Sequence, residues 1–300
     1  MAAPLSKILF ITVHYKASDG ISALLASLQR LERFSSVDVI VVDNASGETE
    51  LAALRDVLSR YPNVRLIESG ANLGYFGAAR FAFDRYLEAH SLPDWVIVSN
   101  HDVVIQDDTF FVKLFSCNAK SVGMIAPRIL ALPDHTDANP FMRRRPGWLR
   151  WTSLRIIHSA YGMARFWHWL SCQKQALRSA IPRRNDKMGA NDRERQNEIY
   201  APHGAFLVFS RQFFESGGFL DGNLFLYFEE VCVAEICRAL GIRIIYDPAF
   251  CVFHNEHQSI GANVTRFSYE CHRRAFRYIR SRYLLRSQTP LESCRPDLVQ

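Results

Sequence analysis

The run Val37-Asp38-Val39-Ile40-Val41-Val42, followed directly by Asp43-Asn44-Ala45-Ser46, decides the fold class of this chain. A near-continuous apolar run of this length is typical of a strand that is covered on both faces, as in a parallel sheet. The four polar and small residues after it are types that form turns. The sequence therefore predicts a buried central strand that ends in a polar turn.

Similar strand-like runs lie on both sides of this stretch, and helix-like segments separate them. The predicted strands are Ile8–Val13, Val64–Ile67 and Trp95–Val98, and the predicted helices are Ile21–Leu31, Glu50–Leu58 and Gly77–Leu87. Strands that alternate with helices indicate βαβ units. The first 130 residues therefore predict an α/β fold, with a Rossmann-like, mostly parallel sheet flanked by helices.

Polar clusters follow three of the predicted strands. They are Asp43–Ser46, Asn72–Gly77 and Ser99–Asp102. Parallel sheets bind ligands beyond the carboxyl ends of their strands, so these clusters would converge on one binding edge. The alternative is that Asp, Asn, Ser and Gly serve here only as turn formers.

Composition limits the class of protein and conceals an uneven charge distribution. The chain has 300 residues, of which 48% are hydrophobic and 22% charged, and this balance excludes wholesale disorder, collagen and coiled coil. The formal net charge is +6, but residues 141–185 carry +10 without any acid and residues 266–286 carry +6. The remainder therefore carries −10. The chain is predicted to be an acidic body with two basic segments.

The α/β rhythm stops near residue 132 and resumes near residue 199. Beyond that point we predict an apolar strand at Tyr200–Phe209, a helix at Val231–Leu240 capped by Gly241, and strands at Ile242–Tyr246 and Phe250–His254. The basic stretch between the two parts contains tryptophans among its arginines and is predicted to be a helical insert. These changes divide the chain into 1–131, 132–198, 199–265 and 266–300.

Four side chains are candidates for chemistry. Asp102 follows a strand, and a single carboxylate there suits a Mg²⁺ or Mn²⁺ ion whose shell is completed by phosphate oxygens and water. His254 ends another strand and is a candidate second ligand, although a histidine there also serves as an ordinary hydrogen-bonded residue. Glu229 and Glu230 suit a division of labour between binding an acceptor and removing its proton. Their alternative role is to stabilise a helix N-terminus.

The seven cysteines and the N-terminus bear on the cell compartment. The cysteine count is odd and no C-x-x-C occurs, so we expect reduced thiols rather than disulfides or a zinc site. The start MAAPLSKILF lacks the charged and apolar regions of a secretory signal, and no stretch approaches 18 consecutive apolar residues. We therefore expect a cytoplasmic protein, either free or peripheral on the inner face of the membrane.

In order and spacing, these motifs resemble glycosyltransferase family 2, and in particular its rhamnosyltransferase-like branch of bacterial surface polysaccharide synthesis. The residues that carry the resemblance are Val41–Ser46, Asn72–Gly74, Ser99–Val103, Gly204–Phe206 and Leu226–Glu230. The resemblance implies a GT-A fold, in which 1–131 binds the nucleotide-sugar and 199–265 binds the acceptor. It also implies inverting sugar transfer from a dTDP- or UDP-sugar to a glycan or lipid-linked acceptor, with Mg²⁺ or Mn²⁺ as cofactor.

The resemblance also implies roles for individual residues. Asp43 matches the aspartate that contacts the nucleotide base, and Asp102 and His254 match the metal ligands. Glu229 and Glu230 match the catalytic pair, with Glu230 as the expected base. The substrate-binding set implied by the resemblance is Asp43, Asn44, Asn72, Gly74, Asn100, His203, Gly204 and Ala205.

Three positions depart from the family pattern and leave a rival interpretation open. Asn100 stands where many members have the first carboxylate of the metal motif, Glu230 replaces an aspartate, and Cys232 stands where a second aspartate is usual. The rival is a catalytically inactive nucleotide-sugar-binding or assembly protein on the same fold.

The basic aromatic insert allows three interpretations. Arginines interleaved with tryptophans are typical of helices on an anionic membrane surface, and a lipid-linked acceptor would make such attachment useful. A solvated basic surface with packed tryptophans is the second interpretation. Nucleic-acid binding is the third, and we expect no nucleic-acid partner because the chain lacks the corresponding motifs.

Overall fold

The computed structural model describes residues 7–179, 194–255 and 265–285. The predictions for the N-terminal residues 1–6, for Arg183 and Arg184 of the insert, and for the tail beyond residue 285, including Cys294, lie outside these ranges. The six described cysteines are free thiols.

The strands come from both predicted halves of the chain. They are β1 Ile8–His14, β2 Val37–Asp43, β3 Val64–Glu68, β4 Trp95–Ser99, β5 Val103–Val104, β6 Met124–Ala131, β7 Thr136–Asp137, β8 Asn197–Ile199, β9 Phe206–Ser210 and β10 Ile244–His254.

The helices cover the two faces of the sheet and form the insert. They are α1 Ser18–Gln29, α2 Glu48–Leu58, α3 Gly74–Leu87, α4 Phe110–Ser116, α5 Trp148–Ile157, α6 Tyr161–Ser179, α7 Arg211–Glu215, α8 Glu229–Leu240 and α9 Arg266–Ile279. A 3-10 turn at Phe34–Ser36 precedes β2, and a π-helical turn at Arg280–Leu284 follows α9.

One sheet connects all ten strands, in the main order β3-β2-β1-β4-β9-β6-β10-β5. The first four strands are parallel, as the alternation of strands and helices predicts. Strand β9 then runs antiparallel to β4, with Phe206 opposite Ser99. The residues that precede β9 therefore meet the residues that follow β4 at one edge of the sheet.

Strand β10 brings a fourth segment to the same region. It pairs in parallel with β6 and antiparallel with β5, so that His254 lies opposite both Ala131 and Val103. Its end therefore lies beside the polar cluster that follows β4.

Two apolar clusters lie on opposite faces of the sheet. Successive residues of a strand point to opposite faces, so Ile8 and Phe10 join one cluster while Leu9 and Ile11 join the other. All four side chains are fully buried, and burying such a side chain contributes about 1.5–3 kcal/mol to folding. This two-sided burial explains the apolar runs and holds the strand ends in place.

The α/β expectation is confirmed, with local differences. The run Tyr200–Phe209 becomes a strand only from Phe206, because Tyr200 and Ala201 instead make backbone hydrogen bonds with Arg143 and Met142. The two strands predicted at Ile242–Tyr246 and Phe250–His254 are one strand, interrupted by an irregularity between Asp247 and Cys251. The helical insert is present as α5 and α6, and the division into four segments stays a prediction.

Candidate active site

A cavity of about 1210 Å³ lies at the edge where the polar clusters meet. Ten of the twelve predicted site residues line it. They are Asn44, Asn72, Gly74, Asn100, His203, Gly204, Ala205, Glu229, Glu230 and His254. Asp43 and Asp102 are buried and are not among the described residues that line it.

Asn44 shapes the loop on one side of the cavity. Its amide nitrogen donates to Asn72 Oδ1 at 3.0 Å and to the Gly74 carbonyl at 3.2 Å, and its Oδ1 accepts from the Leu73 N–H at 2.8 Å. The amide is buried, so these bonds replace the hydrogen bonds to water that it loses on folding. Asn44 therefore fixes the backbone on which Asn72 presents its exposed side chain.

Gly74 is required where this loop meets a second loop. Its φ is +76°, and a Cβ built there would lie 2.0 Å from the carbonyl oxygen of Phe225. The next residue, Tyr75, donates its N–H to that same carbonyl at 3.1 Å. A side chain at position 74 would therefore separate the two loops, one from each half of the protein.

Asp43 lies behind the cavity wall in a buried hydrogen-bond network. His14 Nδ1 donates to Asp43 Oδ1 at 2.8 Å, while His14 Nε2 accepts from the Ala17 N–H at 3.3 Å. The tautomer with its proton on Nδ1 satisfies both contacts. Contact of Asp43 with a nucleotide base stays a prediction, and in this structure its carboxylate orients His14.

Asp102 and His254 form a pair at the end of β10. Asp102 Oδ1 lies 3.2 Å from His254 Nε2, and the Asp102 side chain is fully buried. Two ligand atoms in adjacent octahedral positions around a Mg²⁺-sized ion, each about 2.1 Å from it, are about 3.0 Å apart. The separation therefore fits joint ligation of one divalent cation.

The protein supplies only part of a coordination shell. The described residues contain no cluster of three or more His, Cys, Asp or Glu side chains placed to share an ion. Another histidine on the wall, His203, has its ring centre 5.7 Å from that of His254. A cation held by Asp102 and His254 would therefore need oxygens from a ligand or water, as Mg²⁺ and Mn²⁺ sites at phosphates commonly do.

The two glutamates form the first turn of α8 and lie inside the cavity wall. Glu229 is 5% exposed, and its pKa is raised to about 8 by burial and by the nearby charge of Glu230. Burial also raises the pKa of Glu230, but the backbone N–H groups of Glu230 and Gly204 donate to its carboxylate and favour the ionised form. With a pKa of about 8, the Glu229 carboxyl holds its proton at neutral pH.

Gly204 leaves room for the Glu230 carboxylate. A Cβ at position 204 would lie 2.6 Å from Glu230 Oε1 and 3.1 Å from its Cδ. On its other side, the carbonyl of Gly204 accepts from the Tyr75 hydroxyl at 3.1 Å. Burial, together with the nearby carboxylates, raises the pKa of Tyr75 well above its usual value, so the hydroxyl keeps the proton that it donates.

Two residues that shape this site were not among those predicted from the sequence. Tyr75 connects the Asn72 loop to Gly204. It lies within the predicted Asn72–Gly77 cluster but was not among the predicted site residues. Asn139, which is 3% exposed, accepts from the His203 N–H at 2.8 Å and donates to the Pro127 carbonyl at 2.7 Å. It lies in the stretch between the two predicted halves, where no motif marks it.

The insert is partly fastened to the body and partly open to solvent. Arg145 forms a double hydrogen bond with the buried Glu235, at 2.6 and 3.2 Å, and Tyr200 donates to the same carboxylate at 2.6 Å. Helix α5, by contrast, has no buried residue. In the described part of the chain, no helix combines the length and the apolar character that crossing a bilayer requires.

Comparison with known proteins agrees with this arrangement. The sequence model for "Glycosyl transferase family 2" matches residues 9–218, which include the whole Asn44 side of the cavity and Gly204. The chain belongs to glycosyltransferase family 2. The resemblance seen in the motifs is thereby confirmed.

One relative in Mycobacterium tuberculosis supports the rhamnosyltransferase-like branch. It is named N-acetylglucosaminyl-diphospho-decaprenol L-rhamnosyltransferase and is 27% identical over 285 residues. The alignment covers 91% of this chain and 84% of the relative.

Two solved structures share the fold. GalNAc-T7 with UDP, GalNAc and Mn²⁺ has a TM-score of 0.56 at 11% identity, over 92% of this chain and 48% of that one. The 1–349 fragment of TarS from S. aureus, in complex with UDP-GlcNAc, has a TM-score of 0.52 at 12% identity, over 88% of this chain and 64% of that one. This chain thus spans about half to two thirds of these structures, and the expected GT-A fold is confirmed.

Proposed function

We propose that this family 2 protein is an inverting glycosyltransferase of bacterial surface polysaccharide synthesis. Its donor is a dTDP- or UDP-sugar, with rhamnose as the candidate sugar, and its acceptor is a glycan or lipid-linked sugar. The observation that carries the proposal is that one cavity joins the Asn44 and Asn72 loop to the Glu229 and Glu230 pair. The relative that acts on N-acetylglucosaminyl-diphospho-decaprenol supports the choice of acceptor.

The donor side of the cavity is polar and carries amides. Asn72 and Asn100 offer both donors and acceptors to a nucleotide and its sugar, and Asn44 holds the Asn72 loop in place. Asp102 and His254 would hold Mg²⁺ or Mn²⁺, and such an ion neutralises charge that develops on a leaving diphosphate. The GalNAc-T7 structure, which contains UDP and Mn²⁺ on the same fold, supports a divalent cation as cofactor.

The glutamates act on the acceptor side. The ionised Glu230 carboxylate takes the proton of the acceptor hydroxyl while that oxygen forms a bond to the anomeric carbon. The bond between the anomeric carbon and the diphosphate oxygen breaks on the opposite face, which inverts the configuration. Glu229 retains its proton and so does not add a second charge to the pair.

A thermal-shift panel of nucleotide-sugars, with and without Mn²⁺, tests the donor assignment. Binding to the native state raises its stability, by about 2.7 kcal/mol at one hundred times the Kd. We expect one dTDP- or UDP-sugar to stabilise the protein, and Asn72→Ala to reduce that shift. Asn118→Ala is the matched control, because Asn118 is also exposed but does not line the cavity.

Donor hydrolysis separates this proposal from an inactive binding protein. Slow, Glu230-dependent release of nucleotide diphosphate would support an enzyme. Binding of a nucleotide-sugar with neither hydrolysis nor transfer would favour the inactive protein instead. No stabilisation by any member of the panel would contradict both functions.

We also propose that α5 and α6 attach the protein to an anionic membrane surface. Large apolar side chains on these helices are open to solvent, and arginines lie among them. The most exposed are Trp148 at 74%, Leu149 at 64%, Phe166 at 55% and Trp169 at 55%. Basic helices with exposed Trp and Phe bind the interface of anionic bilayers.

Vesicle co-sedimentation tests the attachment. We expect binding to vesicles that contain phosphatidylglycerol, weaker binding in high salt, and loss of binding in a Trp148→Ser, Trp169→Ser double variant. Equal binding to neutral and anionic vesicles, or no binding, would contradict the proposal. Salt-dependent binding to an oligonucleotide in place of vesicles would favour the nucleic-acid interpretation.

A further inference from the structure

Several aromatic side chains line the cavity beside the glutamate pair, and we call four of them the aromatic wall. Phe225 and Tyr227 come from the loop before α8, while Phe267 and His272 come from α9. The Phe225 and Phe267 rings are perpendicular at 6.4 Å, and the Tyr227 and His272 rings are stacked at 3.6 Å. Helix α9 lies outside the matched residues 9–218, so the family domain does not itself account for this wall.

The wall leaves aromatic surface open to water. Phe267 is 62% exposed and Phe225 is 40% exposed, although both line a concave site. Contiguous apolar surface exposed in a groove is typical of a ligand-binding site. The opposite side of the same cavity carries amides, so the two sides suit different chemical groups.

The loop that carries Phe225 and Tyr227 is held in a costly conformation. Tyr227 and Phe228 both have left-handed backbones, with φ of +74° and +68°. This backbone conformation is unfavourable for residues other than glycine. It persists where packing holds it, often at functional sites. Glu229 follows directly, so the loop aligns the wall and the catalytic pair together.

Helix α9 is anchored rather than loosely attached. Asp221 is 1% exposed and accepts hydrogen bonds from the Tyr278 hydroxyl at 2.8 Å and the Tyr283 hydroxyl at 2.5 Å. Near the other end of α9, the Tyr269 hydroxyl donates to the His158 carbonyl at 3.3 Å. These contacts hold α9 against both the body and the insert.

His272 presents a neutral ring to the wall. Its Nδ1 donates to the Ser268 carbonyl at 2.8 Å, and burial lowers its pKa. The His158 ring is stacked against the His272 ring, with ring centres 5.9 Å apart and an interplanar angle of 12°. A neutral ring packed between Tyr227 and His158 supports the wall and brings no charge into the cavity.

We propose that the aromatic wall is the acceptor subsite, and that it takes the terminal sugar ring of the acceptor by stacking on its apolar face. A pyranose presents C–H groups on its faces and hydroxyls at its edge. Stacking the face would leave an edge hydroxyl for the glutamates, which begin two residues after Tyr227. The inference rests on the proposed glycosyl transfer and adds the class of acceptor group that this cavity selects.

Saturation-transfer NMR with methyl β-N-acetylglucosaminide, in the presence of dTDP or UDP, tests the subsite without knowledge of the complete acceptor. We expect ring-proton signals with the wild-type protein and their loss in Phe267→Ala. Leu285→Ala is the matched control, because Leu285 is equally exposed at 62% but does not line the cavity. No signal with the wild type, or an unchanged signal in Phe267→Ala, would overturn the inference.

Kinetics separate failure of this inference from failure of the proposed function. With N-acetylglucosaminyl-diphospho-decaprenol and dTDP-rhamnose, we expect Phe267→Ala to raise the acceptor KM about three- to tenfold, the scale of one aromatic contact. Donor hydrolysis and the donor Kd should not change. An unaltered acceptor KM alongside active wild type would refute the subsite alone, whereas neither transfer nor hydrolysis by the wild type would refute the function.

Discussion

Replacing Gly204 by alanine should displace the proposed base without unfolding the protein. The added Cβ would lie 2.6 Å from Glu230 Oε1, whereas ordinary contacts of this kind begin near 3.4 Å. Relieving this contact requires a shift of about 0.8 Å. The carboxylate makes the shift rather than the backbone, because it is the flexible end of a side chain. Misplacement of a reacting group by about 1 Å costs on the order of a hundredfold in rate.

We therefore expect Gly204→Ala to lower kcat by about 10- to 100-fold, which is about 1.4–2.7 kcal/mol of activation free energy. The donor Kd should change less than twofold, because Asn72 and Asn100 remain in place. Single-turnover transfer measures the chemical step, and isothermal titration measures donor binding.

Gly162→Ala is the matched control, since a Cβ at position 162 meets nothing within 4 Å. It should retain full activity and gain some stability, because alanine favours a helix over glycine by about 1 kcal/mol. If Gly204→Ala turned over at the wild-type rate, Glu230 would not be the base, or its position would not matter. If Gly204→Ala lost donor binding as well, the two sides of the cavity would not be separable.

Four further predictions concern single residues of the site. Glu230→Gln should lower transfer by about 10²–10⁴-fold, the contribution of general base catalysis, and a normal single-turnover rate would contradict its role. Asp102→Asn should weaken nucleotide-sugar binding in Mn²⁺ but not in EDTA, so an unchanged difference between the two titrations would remove Asp102 as a ligand. Burial raises the pKa of Glu229 from 4.5 to about 8, so the stability that its bound proton contributes is present below pH 4.5 and is lost as the pH rises through 8. Glu229→Gln should therefore flatten the fall in Tm between pH 5 and 9. Parallel curves of Tm against pH for the variant and the wild type would refute this. Asn44→Ala should lower the free energy of unfolding by about 1–3 kcal/mol, because it leaves the Leu73 N–H and the Gly74 carbonyl without their partner. Urea unfolding measures this change, and an unchanged midpoint would show that the Asn44 hydrogen bonds do not stabilise the fold.

The convergence of the polar clusters was predictable because it follows from strand direction alone. Asn44 and Asn100 follow parallel strands, so any sequence with this alternation places them on one edge. The antiparallel entry of β9 was not predictable from the same rule, yet it brings Gly204 beside Glu230. Pairing partners of a strand depend on tertiary packing, which an apolar run does not encode.

The contacts within the site were harder to predict than the identity of the residues that form it. The bond between Asn44 and Asn72 spans 28 residues, and the contact between Gly74 and Phe225 spans two halves of the sequence. Short motifs carry no record of such distant partners. Asp102 illustrates the difference, since its membership was expected but its complete burial beside His254 was visible only in three dimensions.

The aromatic wall was absent from the sequence predictions because its members come from two unrelated segments. The pattern in residues 266–300 is dominated by arginine charge, and Phe267 and His272 contribute nothing to that charge at neutral pH. Only the packing of α9 against the loop before α8 turns isolated aromatic residues into one surface.

The buried Asp221 carboxylate has a consequence for exchanging parts between relatives. Its hydroxyl partners Tyr278 and Tyr283 come from the segment that starts at residue 266, while the thiol of Cys232, 3.7 Å away, lies on α8. A chimera that receives a foreign segment from 266 onward would keep this carboxylate in the interior and lose its tyrosines. A chimera that changes the specificity of this protein must therefore exchange residues 221, 232, 278 and 283 together.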